Sequence, residues 1–362
     1  MGGQNSVPGT PGGGSAKGGA LDWGLPPEDI PEDERDGEEL VLQTWAFCKA
    51  KPSPAHYYRS DVEERKRRQS ILWRKRASFI ELDCGEDSFF VSNTYKTIGV
   101  ADGVGGWREE GVDPAHFANS LMENAKHFSE THRKELNPEV ILQSAFEKVI
   151  ADGKVKAGSS TACVVSLQKD DSGGHFLDVA NVGDSGVLVV RNREVHHRVH
   201  EKVHAFNAPF QLAILPTHLK GRAFADRVSD ATREKVPVQK GDVVITATDG
   251  LFDNRFNISL AADAGWIGHV EGSVLERVPL VGMILGPIFA NDKVAYVDPQ
   301  RVAQRIVQEA YKVSLDESAN TPWSSMLKKF GAENAKGGKV DDITIVLSRV
   351  TTREELSATS TW

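Results

Sequence analysis

Acidic side chains recur in one kind of place along this chain: at the ends of short apolar runs, beside glycine or a second polar turn residue. They are Glu86 and Asp87 before FFV, Asp102 with Gly103 after IGVA, Asp184 in NVGDSG, Asp249 with Gly250 after VVITAT, Asp253 in LFDN, and Asp341 with Asp342 before ITIVL. Each alone is ordinary turn chemistry, since Asp-Gly after a strand is a common hairpin signal. The set is different, because a fold that gathers strand ends on one edge would bring several carboxylates together. Two unit negative charges about 4 Å apart repel by about 4 kcal/mol at an effective dielectric of about 20. A cluster multiplies that cost, so cations must accompany it. Sites built from carboxylate, carbonyl and water oxygens suit Mg2+ or Mn2+ and disfavour Zn2+ or Cu. Two such ions sharing an aspartate and a water would activate that water at neutral pH and clamp phosphoryl oxygens, which makes phosphate ester hydrolysis the expected chemistry.

The elements that must position these residues read as many short strands: DSFFVSN, KTIGVA, STACVVSLQ, HFLDVANV, SGVLVVR, DVVITAT and DITIVLSRV. Helices lie between them. Asp113-Pro114 and Asn137-Pro138 pair an N-cap with proline at the first helical position, and Phe117, Leu121 and Phe128, then Leu142, Phe146 and Val149, form the apolar stripes. A third helix is expected over Pro299 to Lys312. The strands cluster as hairpins and the helices come in pairs, which is not a βαβ alternation. The expected fold is therefore α+β, an antiparallel β-sandwich flanked by helices on both outer faces. The expected division is a flexible Gly-rich and acidic tail over 1–40, a charged N-terminal extension over 41–77, the sandwich domain over 78–350 and a C-terminal tail over 351–362.

Composition narrows the function classes. The net charge of −8 argues against a protein whose main work is holding nucleic acid. No apolar run reaches the roughly 18 residues of a membrane span. Cys48, Cys84 and Cys163 are odd in number and far apart, so neither a disulfide framework nor a metal pair is expected, and a reducing compartment fits. They also fail as phosphatase nucleophiles of the C-x5-R kind, because Pro54, Phe90 and Lys169 stand where the arginine is required. The start of the chain has no apolar segment of a signal peptide, and Gly2 to Gly24 is not the Arg-rich amphipathic segment of a mitochondrial transit peptide. Met1-Gly2-Gly3-Gln4-Asn5-Ser6 matches the pattern for myristoylation of Gly2, and the basic block Arg65 to Arg76 could add a second membrane signal. An intracellular monomer is expected, cytoplasmic or peripheral to a membrane, with a mitochondrial site as the alternative.

Seven blocks, GEDSFF, GVADGVGGWREEGVDPAHF, GSSTACVV, ANVGDSGVLVVR, FNAPFQL, GDVVITATDGLFDN and GGKVDDITIVL, follow one another across about three quarters of the chain. In this order they resemble the metal-dependent protein phosphatases of type 2C, and within them the branch, mitochondrial homologues included, that carries DGVGGWR followed by GVDP. The resemblance implies paired antiparallel sheets with helices outside, and dephosphorylation of phosphoserine and phosphothreonine in protein substrates with two Mn2+ or Mg2+ ions. It implies Asp102, Asp249 and Asp341 as the catalytic core: Asp102 bridging two ions, the Gly103 carbonyl on the second, and Asp249 and Asp341 completing the first. Glu86 would reach the second ion through water, Asp87 would orient water, and Asp184 with Asp253 would hold a third, weaker ion. Two departures matter. Val104 replaces the histidine proposed elsewhere in the family to protonate the leaving oxygen, so the proton would come from water near Asp184 and Asp253, from a histidine of the His196 to His204 stretch, or from no acid. Leu82 replaces the usual phosphate-binding arginine, for which Arg108 is the candidate substitute.

Two rival functions follow from the residues. His200-Glu201-Lys202-Val203-His204 is a literal H-E-x-x-H zinc peptidase signature. Asn207 and Phe210 stand where its metzincin extension needs glycine and histidine, Pro209 would end the helix, and no glutamate follows within 25 residues. A polar loop before a substrate-side flap containing FNAPFQL is the expected alternative. The other rival, a pseudophosphatase acting as a binding module, should have lost metal aspartates, and Asp102, Asp249 and Asp341 are all present.

Overall fold

The computed structural model describes residues 39–52, 82–265, 267 and 298–359. The Gly2 pattern, the tail up to residue 38 and the basic block Arg65 to Arg76 lie outside these residues. Two five-stranded antiparallel sheets form the centre. One has the order β1 (Leu40–Lys49), β14 (Ile343–Thr352), β13 (Val243–Ala247), β7 (Gly186–Arg191), β8 (Glu194–Arg198). The other has the order β12 (Thr232–Val238), β6 (His175–Val182), β5 (Ala162–Lys169), β3 (Thr97–Asp102), β2 (Asp87–Val91). Short strands β4 (Gly158–Ser160) and β11 (Leu212–Ile214) pair with each other, as do β9 (Val203–Ala205) and β10 (Ala208–Pro209).

Period-2 alternation explains why the strands read as continuous apolar runs. In β5, Cys163, Val165 and Leu167 enter the core between the sheets, while Ala162 and Val164 face the helices α1 (Ala115–Thr131) and α2 (Pro138–Asp152). In β7, Val187 and Val189 point into that central core, and Leu188 and Val190 pack on the other side against α4 (Asn257–Ala264) and α5 (Pro299–Ser314). Both faces of both sheets are thus covered. The chain is an α+β sandwich with helices on its two outer faces, as its pattern predicts.

Two helix starts follow the expected chemistry. Asn137 Oδ1 accepts from the Glu139 amide at 3.0 Å and Asp298 Oδ1 from the Gln300 amide at 3.0 Å. At α1 the start is one residue later than expected: Pro114, not Asp113, is the N-cap residue, and Asp113 Oδ1, two residues before the helix, accepts from the Ala115 amide at 3.1 Å.

Three expectations are corrected. Leu40–Lys49 is not part of an extension outside the domain: it is β1, paired with β14 over its whole length from Leu40↔Thr352 to Lys49↔Ile343. The charged blocks that follow it in the sequence hide its apolar pattern, although Leu40, Val41, Leu42 and Ala46 are core residues. The C-terminal boundary moves too, since β14 runs to Thr352 and α7 (Arg353–Thr359) continues it. Finally, Cys48 and Cys84 are joined in a disulfide with Cα atoms 5.0 Å apart, a pairing invisible in their separation of 36 residues. The segment before β2 lies alongside the end of β1, where the Ala50 amide donates to the Asp83 carbonyl at 2.8 Å. Cys163 is free and buried, and burial pushes its thiol up to about 12. Leu42→Ala should lower stability by about 2–5 kcal/mol, as for a fully buried core leucine. A urea midpoint unchanged from the parent would return β1 to the status of a dispensable extension.

Candidate metal centre

The acidic residues meet because the sheets present the same end to them. Asp87 opens β2 and Asp102 closes β3, and the two are direct register partners. Asp249 follows β13 as the first residue of the turn α3 (Asp249–Phe252), and Asp341 and Asp342 precede β14. A hydrogen bond ties the sheets here: Thr248 Oγ1 donates to Asp87 Oδ2 at 2.8 Å, while the Thr344 amide donates to Thr248 Oγ1 at 3.1 Å. Asp342 is a structural clamp, its Oδ1 accepting from the Lys51 amide at 2.9 Å and its Oδ2 from the Glu86 amide at 3.1 Å. Close approach demands glycine beside it. Gly85 has φ +63°, and a Cβ there would fall 1.9 Å from Asp342 Oδ1.

Two lysines stand among the carboxylates. Lys51 Nζ lies 2.7 Å from Glu86 Oε2, 2.9 Å from Asp341 Oδ1 and 3.2 Å from Asp342 Oδ2. Lys339 Nζ pairs with Asp249 Oδ2 and lies 3.0 Å from Asp253 Oδ2 and 3.2 Å from Asp341 Oδ2. Arg108 Nε reaches Glu86 Oε1 at 2.6 Å. Asp341, touched by both ammoniums, has burial pushing its carboxyl up, but Lys339 and Lys51 outweigh this and hold it below its ordinary value. The others go the opposite way. Burial, followed by repulsion from neighbouring aspartates, raises Asp87, Asp102 and Asp184 well above the carboxylate range. Burial and Asp249 push Asp253 up to about 7, and burial with Asp341 and Glu86 pushes Asp342 up to about 6. Asp249 Oδ1 is buried with no hydrogen-bond partner.

This is an electrostatic surplus. The carboxyls of Glu86, Asp87, Asp102, Asp184, Asp249, Asp253, Asp341 and Asp342 face the cations of Lys51, Lys339 and Arg108. Among the described residues no three Asp, Glu, His or Cys side chains already close around one point as a metal cage. The reason is visible in the contacts: the ammoniums lie between the carboxylates that would have to converge. The donor chemistry nevertheless fits a hard divalent cation, because the donors are oxygens, they are buried, and their mutual repulsion favours added positive charge.

The H-E-x-x-H stretch does not form a zinc site. His204 lies in β9, not on a helix. His200 Nδ1 pairs with Glu234 Oε1 at 2.9 Å, whereas His204 Nε2 faces Asp226 Oδ2 at 3.0 Å with its ring stacked between Phe210 and Phe224. Glu201 pairs with Arg198. The carboxylates that His197, His200 and His204 contact are thus those of Glu234 and Asp226, outside the carboxylate cluster.

Known proteins decide the family. The family described as Stage II sporulation protein E (SpoIIE) matches residues 95–272. A protein phosphatase PTC7 homolog of Xenopus laevis is 37% identical over 269 residues, covering 74% of this chain and 81% of that protein. The chain belongs to the PP2C-type protein phosphatases. The human protein phosphatase PTC7 homolog is likewise 37% identical over 269 residues, covering 74% of this chain and 79% of its own. The X-ray structure of the photosystem II phosphatase PBCP shares the fold, with a TM-score of 0.59 at 22% identity, covering 86% of this chain and 99% of that one.

In this PP2C-type phosphatase the sequence-predicted residues Glu86, Asp87, Asp102, Gly103, Asp184, Asp249, Asp253 and Asp341 fall at one end of the sandwich, and Arg108 reaches it through Glu86. Reading the sequence missed Lys51, Lys339 and Thr248, and it named Asp342 among the acids without its role as a clamp. Lys339 could have been found, since GGKVDD places a lysine two residues before Asp341. Lys51 carries no such signal, because only the β1–β14 pairing brings it to the site.

Proposed function

We propose that this chain hydrolyses phosphoserine and phosphothreonine in protein substrates with two Mn2+ or Mg2+ ions. The observation that carries the reading is the convergence of buried carboxyls in excess of the cations around them. Asp102 would be a ligand to both ions and the Gly103 carbonyl a ligand to the second. Asp249 and Asp341 would complete one shell, Glu86 and Asp87 would serve the other, and Asp184 with Asp253 would hold a third, weaker ion. When bound, the ions supply an acidified water and neutralise phosphoryl oxygens.

The remaining work belongs to the chain itself. Thr248 fixes the orientation of Asp87 through its hydroxyl. Asp342 holds the Glu86 and Lys51 amides, and so sets where the two segments carrying those side chains lie. Arg108 and Lys51, partly exposed where they grip Glu86, are the cations placed to take phosphate oxygens, in the role that Leu82 leaves open. Val104 can donate no proton to the departing oxygen.

The test is hydrolysis of phosphoserine and phosphothreonine peptides by purified protein with and without Mn2+ or Mg2+. Activity should need added metal and vanish in excess chelator. Full activity in chelator, or activity restored by zinc alone, would overturn the two-metal reading.

A further inference from the structure

Beside the carboxylate cluster stands a group of aromatic rings that the chemistry does not require. Phe206 sits at the tip of the β9–β10 hairpin, where Asn207 adopts a left-handed φ of 53° and reverses the chain. Its ring centroid lies 5.0 Å from that of Trp323, with the planes 28° apart, and 4.9 Å from that of Phe330, with the planes 47° apart. Trp323 is in the first turn of α6 (Pro322–Lys329), and Phe330 caps its other end. Anchoring the hairpin on α6 accounts for the contact between Phe206 and Trp323. It does not account for Phe330, which keeps 67% of its surface in water.

The rings adjoin the reacting end of the molecule. The Trp323 amide donates to the Asp253 carbonyl at 2.9 Å. Lys339 Nζ, which contacts Asp249, Asp253 and Asp341, lies 5.3 Å from the Trp323 ring centroid. One side chain therefore separates the shelf from the carboxylates. A peptide whose phosphate lies at the cluster has these rings within reach of the residues that flank it. The last turn of α6 carries Lys328 and Lys329, both exposed, so the far side of the shelf is basic.

We infer that the Phe206–Trp323–Phe330 shelf is a specificity surface for the substrate segment flanking the phosphorylated residue, selecting an aromatic or large aliphatic side chain within three residues of it and favouring carboxylates beyond. The inference rests on the phosphoprotein phosphatase reading above. Rings preset against one another lose little entropy on binding a flat or branched side chain, and aromatic pairs add attraction beyond the area they bury.

The experiment uses the full chain with Mn2+ and a set of phosphothreonine peptides in which one position at a time, within three residues of the phosphothreonine, is Phe or Gly, with p-nitrophenyl phosphate as a substrate too small to reach the shelf. At one or more positions the wild type should prefer Phe by about 5- to 10-fold in kcat/KM, the size of one good aromatic contact. Phe330→Ala and Phe206→Ala should each bring that ratio to within about twofold of unity while keeping the p-nitrophenyl phosphate rate. The exposure of Phe330 makes its variant safe for folding, so the proposal does not depend on Phe206→Ala alone. A wild-type ratio near unity at every position, or a preference that survives in both variants, overturns the shelf and leaves the phosphatase reading intact. No metal-dependent hydrolysis of any peptide overturns both.

Discussion

Asp249→Asn lowers kcat on a phosphopeptide by about 10²- to 10³-fold, or more, while the metal-free protein melts no lower than the wild type. The two halves of this result have one cause. Asp249 is buried, its Oδ1 has no hydrogen-bond partner, and its charge raises the carboxyls of Asp102, Asp184 and Asp253. Replacing its carboxylate with an amide removes a repulsive charge from the metal-free cluster, and Lys339 keeps Asp253 and Asp341 as ion-pair partners, so stability should not suffer. The same change removes a ligand for a divalent ion, and the several kcal/mol that a bound ion contributes to the transition state translate at about 1.4 kcal/mol per tenfold. Steady-state kinetics at saturating Mn2+ and a melt in chelator measure the two halves. Loss of activity together with a lower metal-free melting temperature would make Asp249 a folding residue.

What could be read from the amino acids and what could not divides on physical lines. Asp87, Asp102, Asp249 and Asp341 stand out because a strand end is a local feature, marked by an apolar run that stops at an acid and a small residue. The sandwich was legible for the same reason: the VVI of DVVITAT is apolar at consecutive positions, which is what a strand covered on both faces requires. β1 was not. LVLQTWAFCK has the right pattern, but its partner β14 is some three hundred residues away and the neighbouring charged blocks outweighed it in a composition reading. Cys48–Cys84 and Lys51 follow from that pairing and shared its invisibility. The aromatic shelf was hidden likewise, since Phe206 and Phe330 meet only after the hairpin folds onto α6.

Lys339→Met tests the complementary role, that of an internal cation holding the cluster together when no metal is bound. Lys339 is largely but not wholly buried, and although burial alone would lower its ammonium, Asp249, Asp253 and Asp341 outweigh this and raise it well above the ordinary value. Methionine keeps much of the volume and none of the charge, so three carboxyls lose their shared partner. Removing one side of a buried ion pair costs about 3–5 kcal/mol. In a domain of this size the metal-free melting temperature should fall by about 6–12 °C. The pH dependence has a definite sign. Asp253 titrates at about 7 in the folded chain against 3.8 unfolded, so the stability linked to its proton is complete below about 4 and is lost as pH rises through about 7. Without Lys339 the neighbouring carboxyls hold their protons more tightly still. The deficit of Lys339→Met relative to wild type should therefore be small at pH 5 and large at pH 8. Added Mn2+ should raise the melting temperature of the variant more than that of the wild type, because the ion supplies the charge that the lysine no longer does and binds without displacing it. Equal Mn2+-induced shifts in the two proteins, or a deficit that does not change with pH, would show that Lys339 contributes by packing against Trp323 and not by neutralising the carboxylates.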